Sequence, residues 1–220
     1  MFSVQITHAL QLLSVAAIPV LFAITVHEAA HGWVASRLGD RTAQMLGRVS
    51  LNPAKHIDPI GTVVVPILMS ITSGFIFGWA KPVPVNTRNL RNPKRDMILV
   101  AFAGPSANLL MALGWVLFFH LVTMLSVVLG SSTKFFLSMS FYGIYINILL
   151  MLFNLLPILP LDGGRVLRGL VPESIGRRLD ALERYGLIIT VLLVVVLFKY
   201  GLFRPDLVVL RLMALLRVSP

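Results

Sequence analysis

The segment His27-Glu28-Ala29-Ala30-His31 combines residue types and spacing that could do chemistry. On a helix the two histidines stand one turn apart on one face, so both imidazoles can reach a single metal ion. Glu28 follows His27 by about 100° of helical rotation, which sets its carboxylate beside the metal's open position. That is the arrangement of a general base acting on water at a zinc ion. A catalytic zinc usually takes three protein ligands, and because the chain has no cysteine the third must be His, Asp or Glu. Asp162 ends a long uncharged run, after the helix-breaking Pro157 and Pro160 and before Gly163-Gly164, where backbone can approach closely. His56, in a turn-rich polar segment, is the rival ligand, with a supporting structural role as its other reading. His8 and His120 lie alone near helix ends and read as interfacial histidines.

These residues must be positioned by elements suited to a bilayer. Of 220 residues 57% are apolar and 13% charged, whereas a soluble domain is about one quarter charged. No Asp, Glu, Lys or Arg occurs in Met1–His27, Pro59–Ala80, Met97–Thr133, Phe135–Leu161 or Tyr185–Phe198. A transmembrane helix needs about 20 mainly apolar residues. The pattern excludes a soluble enzyme, a nucleic-acid-binding protein and a disordered tail. The expected fold is an all-α polytopic membrane protein, with residues 1–220 forming one membrane-embedded domain. About four transmembrane helices are predicted, at Ile6–Ser36 (uncleaved), Met97–Thr123, Phe135–Leu156 and Tyr185–Phe203. Between the first two spans a short β-strand is predicted at Arg48–Leu51, together with a re-entrant helix and an extended segment over Pro59–Val85. The leucine-rich tail Pro205–Arg217 reads as an interfacial helix.

Ionisable groups inside a hydrocarbon helix are costly and mark function, which favours a chemical role for His27, Glu28 and His31. A full crossing at Pro59–Ala80 would bring His31 and Asp162 to opposite membrane faces, where one metal could not bind both. If the segment dips in and returns, Lys and Arg divide 14 against 5 between the two sides. By the positive-inside bias the site then lies near the cytoplasmic face. His31 is six residues before Arg37, so about 9 Å below that boundary. Pro82 and Pro84 hold the returning segment extended and confine it to a sheet edge. Such an edge can take up a peptide by strand addition, with Trp79 and Val83 as the residues of a substrate clamp.

Together these motifs resemble the site-2 proteases, intramembrane zinc metalloproteases that cut transmembrane segments of other proteins. The resemblance rests on His27-Glu28-x-x-His31, Gly104-Pro105-x-x-Asn108 and Asn154…Pro157…Pro160-x-Asp162-Gly163-Gly164. Gly47–Pro59 and Gly78–Asn86 also look like the compact bacterial and archaeal branch, in a form without a PDZ or nucleotide-sensing domain. The resemblance implies one Zn2+ per chain held by His27, His31 and Asp162, with Glu28 as the base. It implies that Asn154 and Asn108 line the cleft, Asn154 nearer the metal. The implied partners are the lipid bilayer of a prokaryotic cell membrane and a membrane-protein substrate, and no nucleic acid. The alternative from another class is a zinc-binding membrane protein without enzymatic activity, a transporter or a substrate-trapping scaffold. Against transport, the ionisable groups gather at one depth and no repeat is visible.

Overall fold

A computed structural model of the chain describes residues 2–64, 80–201 and 204–218. Its main elements are helices α1 (Phe2–Arg37), α2 (Pro93–Met124), α3 (Thr133–Asn154), α4 (Asp162–Leu170), α5 (Glu173–Glu183), α6 (Gly186–Lys199) and α7 (Pro205–Leu215). Three helical stretches are long and apolar enough to cross a membrane: Ser14–Arg37, Pro93–Met124 and Ser126–Asn154. The protein is an integral membrane protein.

Two expectations need correction. The predicted fourth span is helix α6, whose 14 residues extend only about 21 Å at 1.5 Å per residue. That is short of a hydrocarbon core of about 30 Å. Among the described residues there is also no β-strand. Arg48–Leu51 has no ladder partner; instead the Arg48 guanidinium donates to the carbonyls of Lys81 (2.8 Å) and Pro82 (3.3 Å). A side chain thus joins two loop segments where the alternating pattern suggested backbone pairing.

Helices α1, α2 and α3 pack against one another and form the frame of the site. Helix α2 begins before the uncharged run because Pro93 suits a first helical position. The Asp96 carboxylate, although buried, accepts the Asn92 N–H at 2.8 Å and helps close that end. Ala112, Val116 and Phe119 of α2 meet Ile144 and Ile148 of α3 in one apolar cluster. Where α2 and α3 approach, Gly143 leaves room for the Trp115 ring, against which a Cβ would collide. Small residues serve helix packing in lipid, where van der Waals contact does work that water exclusion cannot.

The tail helix is more than an interfacial strip. Val209 and Met213 of α7 are fully buried in the same cluster, and the His120 ring N–H donates to the Leu216 carbonyl at 3.1 Å. His120 therefore ties the tail to α2. The predicted re-entrant segment is helical over Pro59–Val64, and residues 65–79, including Trp79, lie outside the described residues. From Ala80 to Asn86 the chain forms neither helix nor ladder, and Pro82 and Pro84 favour an extended course there.

Candidate metal centre

His27 and His31 point from α1 toward the first residue of α4, Asp162. The Nε2 atoms of the two imidazoles are 3.1 Å apart, and Asp162 Oδ2 lies 3.2 Å from the first and 3.3 Å from the second. The rings meet edge to face, which leaves room between the three atoms. All three side chains are close to fully buried, with 9%, 11% and 12% of their surface exposed.

The remaining ring nitrogens identify the protons. His27 Nδ1 lies 2.6 Å from Asn108 Oδ1, and His31 Nδ1 lies 2.7 Å from the Val100 carbonyl. Both acceptors require a proton on Nδ1, so both Nε2 atoms present lone pairs. Asp162 Oδ2 is buried and accepts no hydrogen bond. Three electron-pair donors thus converge with no hydrogen among them, an arrangement that is costly unless a cation stands between them.

The spacing suits zinc. Tetrahedral bonds of about 2.0–2.1 Å place ligand atoms about 3.3 Å apart, close to the three separations. His27, His31 and Asp162 form a group able to hold a metal ion. Gly104 completes the cradle, since a Cβ there would strike His31 Nε2 and sit 2.6 Å from His27 Nε2. Gly163 and Gly164 let α4 start against the Leu155, Leu156 and Ile158 backbone, where side chains would collide. That close approach delivers Asp162 to α1.

Glu28 lies beside the group. Its Oε2 accepts the Val83 N–H at 2.7 Å, across from the extended segment. His27, Glu28, His31, Val83, Asn154 and Asp162 all line a cavity of about 740 Å³. The structure therefore brings together six of the eight sequence-predicted residues around one space. Asn108 is the exception among those described: it is fully buried behind His27, not in the cleft. Trp79 is outside the described residues. The rival ligand His56 is buried elsewhere; its ring N–H donates to the Ser50 carbonyl at 2.9 Å and its own carbonyl accepts the Lys81 N–H. It is a loop support.

Sequence reasoning missed Val100, whose carbonyl fixes His31, and Asn147, whose Oδ1 accepts from Asn108 Nδ2 at 2.9 Å. No side-chain pattern could have shown a backbone carbonyl. Asn147 did carry a signal, being an amide within an uncharged run.

The model for peptidase family M50 matches residues 120–198, the part that carries Asp162. Among curated proteins, "Putative zinc metalloprotease YwhC" of Bacillus subtilis is 39% identical over 191 residues, covering 86% of this chain and 83% of that protein. "Putative zinc metalloprotease Rip2" of Mycolicibacterium smegmatis is 28% identical, covering 80% of this chain and 64% of that longer protein. No solved structure matches. The extent and identity of the first match, together with the family model, place the chain: it belongs to peptidase family M50, the site-2 proteases, and is a zinc metalloprotease.

Proposed function

We propose that His27, His31 and Asp162 hold one zinc ion and that Glu28 is the general base of an intramembrane peptidase. In this reading residues 1–220 act as one membrane-embedded protease domain. Its substrate is a membrane protein, cut within or near a transmembrane segment. The observation that carries the metal assignment is the convergence of three unprotonated atoms within 3.1–3.3 Å. Bound there, zinc supplies Lewis-acid chemistry, polarising a carbonyl and lowering the pKa of water.

The chain's own residues supply the rest. Glu28 has one oxygen engaged by the Val83 N–H and the other available to take a proton from water. The hydroxide oxygen bonds to the scissile carbonyl carbon, the C–N bond breaks, and Glu28 returns the proton to the leaving amine. Asn154, held by its Nδ2 donating to the Leu150 carbonyl at 3.0 Å, borders the cavity and can present its side-chain oxygen to a substrate amide. The carbonyl of Val83 and the N–H of Val85 have no hydrogen-bond partner among the described residues. These two groups support strand addition by a locally unwound substrate, with Trp79 and Val83 as the clamp. The charge division of 14 against 5 supports a site near the cytoplasmic face.

Glu28→Gln tests the base. Glutamine can still accept the Val83 N–H through its amide oxygen, so the arm stays in place, but it cannot take up the proton. Zinc content is expected to stay at one per chain, while cleavage of a single-span substrate falls by roughly 10²–10⁴-fold. Residual cleavage near the wild-type rate in a zinc-replete protein would remove Glu28 from this role.

A further inference from the structure

The two histidines reach the same proton arrangement by different routes. His31 Nδ1 meets a backbone carbonyl, Val100 O, at 2.7 Å. A carbonyl can only accept, so the proton must be on Nδ1 and the lone pair on Nε2. His27 Nδ1 meets Asn108 instead, at 2.6 Å. A primary amide has two ends. Turned over, Asn108 would offer an N–H to Nδ1, move the His27 proton to Nε2 and close the metal position.

What fixes the Asn108 amide lies one helix farther away. Asn108 Nδ2 donates to Asn147 Oδ1 at 2.9 Å, and Asn147 Nδ2 donates to the Gly143 carbonyl at 2.8 Å. Gly143 O can only accept, so Asn147 must face it with its NH₂ and turn its oxygen toward Asn108. Asn108 must then present NH₂ to Asn147 and oxygen to His27. A long second bond from Asn108 Nδ2 to the Ala23 carbonyl, at 3.3 Å, agrees in direction. Both asparagines are fully buried, so water cannot satisfy a reversed amide, and each reversal would face donor to donor and acceptor to acceptor.

We propose that Asn147 is a positioning residue for the metal centre: it sets the direction of the Asn108 amide and thereby holds the His27 proton on Nδ1, leaving Nε2 free to bind metal. Asn147 touches neither metal nor substrate. It acts through a one-way relay running from Gly143 of α3 through α2 to α1. The inference rests on the reading of His27 as a zinc ligand.

The test measures zinc affinity of the full-length protein in detergent by competition with a chelator. Four proteins are compared: wild type, His27→Ala, Asn147→Leu and Asn147→Asp. Leucine keeps the branching and the number of side-chain heavy atoms and removes the acceptor; zinc affinity is expected to fall roughly ten- to a hundredfold, the effect of outer partners on metal ligands. A protonated aspartate keeps both ends, its C=O accepting from Asn108 and its O–H donating to Gly143. Asn147→Asp is therefore expected to bind zinc within about twofold of wild type. If His27→Ala abolishes zinc binding while Asn147→Leu binds as wild type does, the relay is overturned and the ligand assignment stands. If His27→Ala binds as wild type does, the ligand assignment itself falls. If Asn147→Asp is as weak as Asn147→Leu, an acceptor toward Asn108 and a donor toward Gly143 do not suffice, and the relay is overturned. Should the leucine variant fail to fold, ¹⁵N-histidine spectra of zinc-free wild type above the imidazole pKa decide directly. They are expected to show His27 protonated on Nδ1, and a proton on Nε2 overturns the relay.

Discussion

His27, His31 and Asp162 are held by packed helices, whereas Glu28 is held by an extended arm, and the two supports differ in kind. The cradle draws on four helices. α1 carries both imidazoles, α2 contributes Asn108, the Val100 carbonyl and the Gly104 gap, α3 contributes Asn147, and α4 opens on Asp162. The arm from Lys81 to Asn86 makes no ladder. The Lys81 N–H goes to His56 O, the Lys81 and Pro82 carbonyls take Arg48, the Val83 N–H meets Glu28, and the Asn86 N–H meets Asp40. Only the first of these is a backbone–backbone bond. The proposed metal site therefore depends on helix packing, which resists deformation. Orientation of Glu28, the proposed base, depends on single polar contacts to a segment without a ladder that, in the proposed reading, also admits a substrate.

If the supports are separate, metal content and turnover can be broken independently. The largest effect is expected from Asp162→Ala, which removes the oxygen both imidazoles face. Zinc affinity should drop by more than the roughly hundredfold seen when only an outer partner is lost, and cleavage should fall to background. Metal analysis of the purified protein checks this. Retention of zinc at parity would mean that the helical cradle is not the metal site, and the contrast between the two regions would disappear.

A sharper probe of the contrast is Val83→Pro. It deletes one N–H and keeps the segment extended, since prolines already flank it. A charge-assisted hydrogen bond contributes about 1.5–3 kcal/mol, so turnover is expected to fall roughly ten- to a hundredfold with zinc content unchanged. Val83→Ala, which keeps the N–H, should restore most of the rate. Zinc lost in step with activity would show that arm and cradle are one unit.

The same contrast explains what could be read from the sequence. The candidate ligands His27 and His31 and the candidate base Glu28 sit on a regular helix, where spacing fixes which side chains share a face, so their proximity was readable residue by residue. Asp162 stood out as a third candidate because it ends an uncharged run, after two prolines and before two glycines. The frame of three spanning helices was also readable, because polar residues are excluded from hydrocarbon. A reading that bounds helices by charge, however, starts α2 at Met97, although Pro93 and a capping Asp96 carry it four residues further. The same reading counts α6 as a span although its helix is too short. The arm was readable only as extended. Its partners are Arg48, His56 and Asp40, far away in sequence, and alternation of residue types at Arg48–Leu51 suggested a strand where a guanidinium does the joining. Asn108 and Asn147 were placed by helix rotation about neighbours that no local pattern describes.

The smallest expected effect comes from the far end of the arm. Asp40, fully covered just past α1, accepts the Asn86 N–H at 2.6 Å, the Asn89 Nδ2 at 3.1 Å and the Thr42 N–H at 3.1 Å. Burial pushes its carboxyl pKa up; bonds from Thr42, Asn89 and Asn86 outweigh this and hold it below the ordinary carboxylate range. A depressed folded pKa stabilises the fold above the unfolded value, about 3.9 for Asp, and that contribution is lost as pH falls through the folded one. In Asp40→Asn one oxygen becomes a donor facing donors, at a cost of about 1–2 kcal/mol at neutral pH. Thermal unfolding in detergent should therefore show a wild-type advantage that is constant from neutral pH down to about pH 4 and closes below it. Zinc content should not change, and turnover should fall less than in Val83→Pro, because Asp40 reaches Glu28 only through the arm, with Pro84 and Val85 between the two held residues. A stability gap that stays constant to the lowest pH would show that the Asp40 charge does not hold the arm. A loss of zinc would show that the arm reaches into the cradle after all.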